Sequence, residues 1–320
     1  MRSQHKHLSL LHYRSNQSIK NLFIDLITGI INLRINSEEK IIFSTPECNV
    51  DLKLFQQIDR YCIQPEHNAR LSLEAGYLPK NTISIDRDIL HDLKIVNHKR
   101  VCENWLRIYN FPYVHHRIES PTVDTSDEVE NKKQQLIECM DISLDTKRPE
   151  GELILILLNR QYGGFGNLGV DQYVWSNKVV KTIREQTNRP IMVKHHPEGL
   201  DEDKYNLFKN INFGNDVYHY ATEERTNIPD SIKKDFQNRN MHSTISFNTS
   251  AGLRYYILDN IPMIIDAEKS LLKQFSCGNI NDIKKIQMLD KNKLLTWYCS
   301  THWTSKQLIE GKPILELLND

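Results

Sequence analysis

Between Gly151 and Asp266 the chain repeats one arrangement: a short apolar run, then a loop of small, basic or hydroxyl residues. The three instances are ELILILLNRQYGGFGN, RPIMVKHHPEG and STISFNTSAGLRYYILDNIPMIID, and helix-like spacing follows the first and third. Strands alternating with helices imply a parallel sheet. In an open sheet of that kind the loops after the strands gather at one edge, where ligands bind. The repeat therefore sets the fold class as α/β and marks the edge where an anion would be held.

The rest of the chain extends the pattern. LSLL from Leu8 reads as a short strand. Apolar residues at Ile19, Leu22, Phe23, Leu26, Ile27 and Ile30 follow helical spacing. KIIFSTPEC reads as a strand ending in a Ser/Thr/Pro loop, which continues a βαβ-like alternation. Further expectations are a strand at residues 82–85, a helix at 98–109, and a helix opened by Thr125 or Ser126 ahead of Asp127 and Glu128. Polar residues 147–151 place a domain boundary, giving residues 1–148 and 149–320 as two Rossmann-like, doubly wound domains. Within the second, helices are expected at 175–186 and 205–213 and short strands at VYHYAT and 262–265. The aromatic-rich tail offers two helical segments, the last able to cross back over the seam.

Composition narrows the function classes. With Lys+Arg 41 and Asp+Glu 41 the formal net charge is zero, so no whole-chain basic field argues for nucleic acid or an anionic membrane. No apolar run approaches the roughly 20 residues of a membrane span, and the start MRSQHKH lacks the form of a signal peptide, which points to a cytoplasmic protein. The six cysteines show no CxxC spacing and suit reduced thiols better than a disulfide framework or a zinc site.

Each loop suits an anion for its own reason. In VKHHP, Lys194, His195 and His196 stand at a strand end, and Pro197 stops the strand there. Neighbouring side chains on a strand point to opposite faces, so at most one of the two histidines faces a ligand. In NTSAG, Asn248, Thr249 or Ser250 can cap the following helix, while Ala251 and Gly252 leave its first amides open to a phosphate. The same residues also suit a plain capped helix. The loop carrying Arg160, Gly163, Gly164 and Gly166 can approach a ligand closely and supply a charge. It does not match GxGxxG, and GxxxxGK[ST] is absent, which disfavours dinucleotide dehydrogenases and P-loop enzymes. GxSxG is absent too. A catalytic base falls to the first half, where His12, Asp25, Glu47, His67, His115 and His116 are the candidates.

At these residues the chain resembles GT-B glycosyltransferases, the class built from two Rossmann-like domains facing across a cleft. The likeness is to phage-encoded members and to capsule and teichoic-acid transferases. It rests on VKHHP at residues 193–197, NTSAGLRYYILDNIPMI at 248–264, the WSNKVVKTIREQTNRPI run from Trp175, and WYCSTHWTSKQLIEGKPILEL. It covers about the last 170 residues and fades in the first half.

The resemblance implies a nucleotide-sugar donor, a UDP-sugar such as UDP-glucose first, with Lys194, His196 and the 249–252 turn on its phosphates and no obligatory metal. Where relatives carry an acidic ribose contact after the glycine turn, this chain has Arg254 and Tyr255, which moves that role to Asp266 or Glu268. A phage likeness implies a hydroxymethylated base in duplex DNA as one acceptor. Arg2, His5, Lys6, His7 and the NHKR run at 97–100 would then supply a local phosphate-binding face. The alternatives are a wall or capsule glycosyl- or glycerophosphotransferase, and a non-catalytic nucleotide- or glycan-binding protein.

Overall fold

The computed structural model describes residues 17–32, 41–43, 61–65, 81–87, 95–96, 99–100, 105–110, 126–158, 170–196, 206, 216–220, 228–249, 251–268, 270–313 and 315. The chain divides into two compact units, one formed by Met1–Met140 with Leu295–Asp320 and the other by Asp141–Leu294.

The first unit contains α1 (Gln17–Asn32), β1 (Ile41–Phe43), β2 (Tyr61–Pro65), β3 (Asn81–Arg87), the small hairpin β4 (Ile95–Val96) and β5 (Lys99–Arg100), β6 (Leu106–Asn110) and α2 (Asp127–Met140). The second follows with β7 (Leu153–Leu157), α3 (Gln172–Arg184), β8 (Ile191–Lys194), β9 (Val217–Tyr220), α4 (Asp230–Gln237), β10 (Met241–Ser246), α5 (Ala251–Asp259) and β11 (Met263–Ile265). Two 3-10 turns come next, at Leu271–Phe275 and Ile280–Lys285. Then α6 (Lys291–Thr301), β12 (His302–Trp303) and α7 (Ser305–Ile309) complete the chain, so that the tail belongs to the first unit.

The first unit's sheet runs β1-β2-β3-β6-β12, and only part of it is parallel. β1, β2 and β3 pair in parallel, whereas β6 is antiparallel to both β3 and β12. This corrects two expectations. The βα alternation carries no sign of the antiparallel strands, and residues 106–110 are a strand where the spacing of residues 98–109 predicts a helix. Backbone pairing on both edges overrides a weak local pattern in LRIYN. The tail is tied in at several points: Asn32 Nδ2 donates to Ile309 O at 3.1 Å, and Ser305 Oγ donates to Asp25 Oδ2 at 2.6 Å. A Cβ on Gly29 of α1 would run into the backbone of Leu308, so that helix approaches the tail through a glycine. Trp105 stacks on Tyr298 with ring centroids 5.2 Å apart. Buried Lys132 donates to Cys299 O and His302 O at 2.6 and 2.5 Å, satisfying carbonyls where α6 ends.

The second unit's sheet is parallel throughout, in the order β11-β10-β7-β8-β9. Its central strand LILIL is buried at every position, as a strand covered on both faces must be. One face packs Ile154, Ile156, Val193, Ile245 and Phe247 against Trp175, Val179, Val180 and Ile183 of α3. The other packs Leu155, Leu157, Met192 and Met241 against Ile232 of α4 and Tyr255 of α5. Cys139 is disulfide-bonded, against the expectation of reduced thiols: scattered spacing cannot disclose a pairing between distant positions. Cys277 and Cys299 are free and buried. No helix among the described residues is long and apolar enough to cross a membrane.

Candidate functional site

Numbered by their place along the second unit, its strands lie in the order 5-4-1-2-3. The order reverses between β7 and β10, and such a reversal opens a crevice at the carboxyl ends of the strands. In register, Ile265, Ser246, Leu157, Lys194 and Tyr220 form a row across that end of the sheet. Neighbours in a register row share a face. Because Ile245 and Phe247 enter the core on the α3 side, Ser246 points to the α4 and α5 side, as do Leu157 and Met192. Lys194 joins them, its Nζ lying 5.4 Å from the Phe236 ring centroid and 6.0 Å from that of Tyr220.

Lys194 is the chemically unusual group of this row. Burial pushes its ammonium below the usual lysine range, and the guanidinium groups of Arg239 and Arg254 push the same way. Among the described residues no carboxylate pairs with it. Arg239 stacks over Tyr255 at 5.0 Å and pairs with Asp259 at 3.6 Å. Ser246 is 1% exposed, and its hydroxyl has no hydrogen-bond partner among the described residues. A buried hydroxyl left unpaired costs about 1–3 kcal/mol, which a ligand oxygen would relieve.

The two helices flanking the reversal differ at their starts. Asp171 closes α3, its carboxylate accepting from Tyr173 N at 2.8 Å and Val174 N at 3.2 Å, so negative charge already occupies that end. At α5 the cap is neutral: Thr249 Oγ1 accepts from Ala251 N at 3.2 Å, and no acidic residue stands in the first turn. The positive end of the α5 dipole thus remains available to an anion.

The sequence-derived residues separate accordingly. Lys194 and Thr249 lie at the anion-favouring edge. Asn248 is held by Ser270, whose hydroxyl donates to Asn248 Oδ1 at 2.5 Å. Ala251 is exposed, while Gly252 faces the sheet: a Cβ there would sit 2.9 Å from Met263 Cγ and 3.2 Å from Thr244 Oγ1. Its small size serves the packing of helix on strand. His195 turns to the opposite face, 2% exposed, with Nε2 3.2 Å from His219 Nδ1 and its ring beside Tyr173. Burial and the neighbouring His219 push it down to about 3, so it stays neutral near pH 7. His196 is half-buried just past the strand.

Other expectations fall differently. Asp266 Oδ2 accepts from Trp175 Nε1 at 2.7 Å, and Glu268 pairs with Lys273 at 2.8 Å. Asp25 is engaged by Ser305. Outside the described residues lie the N-terminal strand from Leu8, Arg2, His5, Lys6, His7, His12, Glu47, His67, Asn97, His98, His115, His116, Arg160, Gly163, Gly164, Gly166, Pro197 and Ser250, and residues 205–213 apart from Asn206. Lys99 and Arg100 form β5. Ser246, Tyr220, Phe236 and Arg239 were not singled out by sequence. The alternation of hydroxyl and apolar residues in STISF is the signal that could have found Ser246. Among the described residues no group of three or more His, Cys, Asp or Glu could hold a metal.

No known protein-family profile matches the chain, and no curated protein matches it. Among solved structures, the chain is similar to Thermosulfurimonas dismutans KpsC, a beta Kdo 2,7 transferase. The two share 11% identity over 92% of this chain and 96% of that one, with a TM-score of 0.48. A likeness of that order decides nothing about this chain's chemistry.

Proposed function

We propose that the chain is a glycosyltransferase of GT-B type, in which the second unit binds a nucleotide-sugar donor and transfer goes to an acceptor hydroxyl. The observation that carries the reading is that one register row beside the reversal of strand order holds a desolvated lysine with no carboxylate partner and a buried hydroxyl with no hydrogen-bond partner among the described residues, on the face where a helix starts without a carboxylate. In a transfer from a nucleotide sugar the bond between sugar and phosphate breaks, and negative charge grows on the departing phosphate. Lys194 and the first amides of α5 supply positive potential for that charge, which lowers the barrier if the interaction is stronger in the transition state than before it. Ser246 Oγ gains a partner when a phosphate oxygen enters. The resemblance carried by VKHHP and NTSAG supports the donor class.

Incubation of the full chain with mixed nucleotide sugars and two acceptor pools tests this. One pool is duplex DNA carrying hydroxymethylated bases, and the other a wall or capsule polymer. Mass spectrometry then reads the products. Sugar appearing on either acceptor with release of the nucleotide supports transfer. Nucleotide binding without any turnover of donor would instead leave a binding protein, and a product carrying glycerophosphate would name the other transferase class.

A further inference from the structure

We infer that the Cys139 disulfide is a redox-operated clasp, bracing the first unit when oxidised and opened by a dithiol without unfolding the chain. Cys139 is disulfide-bonded, whereas Cys277 and Cys299 are free. Of the six cysteines this leaves Cys48, Cys62 or Cys102 as the partner, so the bond spans tens of residues, all within the first unit. Closing a long loop removes much of the freedom of the unfolded chain. The place is one where a clasp has an effect. α2 buries Val129, Lys132, Lys133 and Leu136, and Cys139 continues that stripe at helical spacing into the last turn. The same helix holds the tail through its first half: Lys132 on the Cys299 and His302 carbonyls, Lys133 Nζ on Thr296 Oγ1 at 3.3 Å, and Glu128 accepting from Gln307 Nε2 at 2.9 Å. No basic residue stands in its last turn, and at Asp141 the backbone turns left-handed with φ 53°. The covalent tie therefore falls at the end of α2 opposite the residues that hold the tail.

Accessibility makes this bond the one that a reductant meets. Cys139 is exposed, while Cys277 and Cys299 are 3% and 0% exposed. Burial also pushes the Cys277 thiol above the usual range, so it supplies little thiolate to compete for the bond. A dithiol in solution opens the clasp by exchange. One thiolate of the reagent attacks Sγ of Cys139, the S–S bond breaks, and the partner cysteine leaves as a thiolate. The reagent's second thiol then displaces Cys139 and closes to a disulfide. Two electrons pass from reagent to chain, and two protons follow to the released cysteines.

The test uses the air-oxidised full chain, with or without dithiothreitol, alkylated by N-ethylmaleimide in native buffer and mapped by mass spectrometry. Without reductant, Cys139 is expected in a peptide cross-linked to Cys48, Cys62 or Cys102. After reduction both partners carry the label, while Cys277 and Cys299 stay unlabelled because the fold persists. Trp105, Trp297 and Trp303 lie in the first unit, so tryptophan fluorescence follows its melting. Reduction lowers that melting temperature by at least about 5 °C, and reoxidation restores it. C139S melts like the reduced protein and ignores the reductant; should it fail to fold, the reversible shift of the wild type decides alone. Labelling of Cys139 without reduction, a bond that yields to dithiothreitol only in denaturant, or one melting temperature for both states overturns the inference.

Discussion

Lysines withdrawn from water among the described residues differ in what they meet. Lys132 and Lys291 each donate to two backbone carbonyls, Lys132 to those of Cys299 and His302 and Lys291 to those of Ser143 and Ile257, both at 2.8 Å. Their charges close helix ends, and their role is stability. Replacing Lys132 by Ala leaves two buried acceptors unpaired. Urea denaturation should show a loss of about 2–4 kcal/mol; a loss below about 1 kcal/mol would mean that water reaches the carbonyls instead. Lys194 has no such acceptor among the described residues, and its replacement should act on function. Lys194→Ala should cost about 1–3 kcal/mol of transition-state stabilisation, read as kcat/KM for donor, with no loss of folded stability. Unchanged kinetics would remove the phosphate role. The sequence VKHHP presents three basic residues in a row and cannot say which meets solvent. Strand alternation and burial separate them, sending His195 to the α3 face as a neutral ring and Lys194 to the α5 face.

Elements with strong, continuous patterns were legible. LILIL, IMVK and the strand and helix around NTSAG form where their spacing predicts, LILIL most plainly because a strand covered on both faces favours a continuous apolar run. What the sequence did not show are pairings between distant segments: β6 beside β12, nearly two hundred residues apart, and the antiparallel edge they form. α4 was missed because eight residues give too short a window for a helical period. Glycine fixes two contacts at this scale. A Cβ on Gly151 would run into the backbone of Asn240 and Met241 where β7 starts beside β10, while one on Gly252 would press on the Met263 side chain. Backbone cannot move aside as a side chain can. Gly151→Ala should therefore destabilise the second unit more than Gly252→Ala, by about 1 kcal/mol or more in denaturant titrations. The reverse order would show that the strand start relaxes freely.

For the whole molecule, two buried histidines tie stability to pH. His195 and His242 are each pushed down to about 3, chiefly by burial, from an ordinary value of 6.5. Between those values the unfolded chain binds more protons than the folded one, so stability is fully present above about pH 6.5 and falls as pH drops toward 3. Each histidine contributes up to about 1.4 kcal/mol per pH unit to that slope. His195→Gln should flatten the slope between pH 6 and 4.5; a variant with the wild-type slope would show that the ring is already protonated in the fold. The central claim concerns the other face of the same sheet. The most direct measurement is calorimetric binding of UDP to the wild-type chain and to Lys194→Ala at neutral pH. The account predicts saturable binding to the wild type, weakened at least about fivefold in the variant by loss of a charge-assisted contact of about 1 kcal/mol or more. Equal affinity of the two proteins, or no binding by the wild type at millimolar UDP, would contradict it.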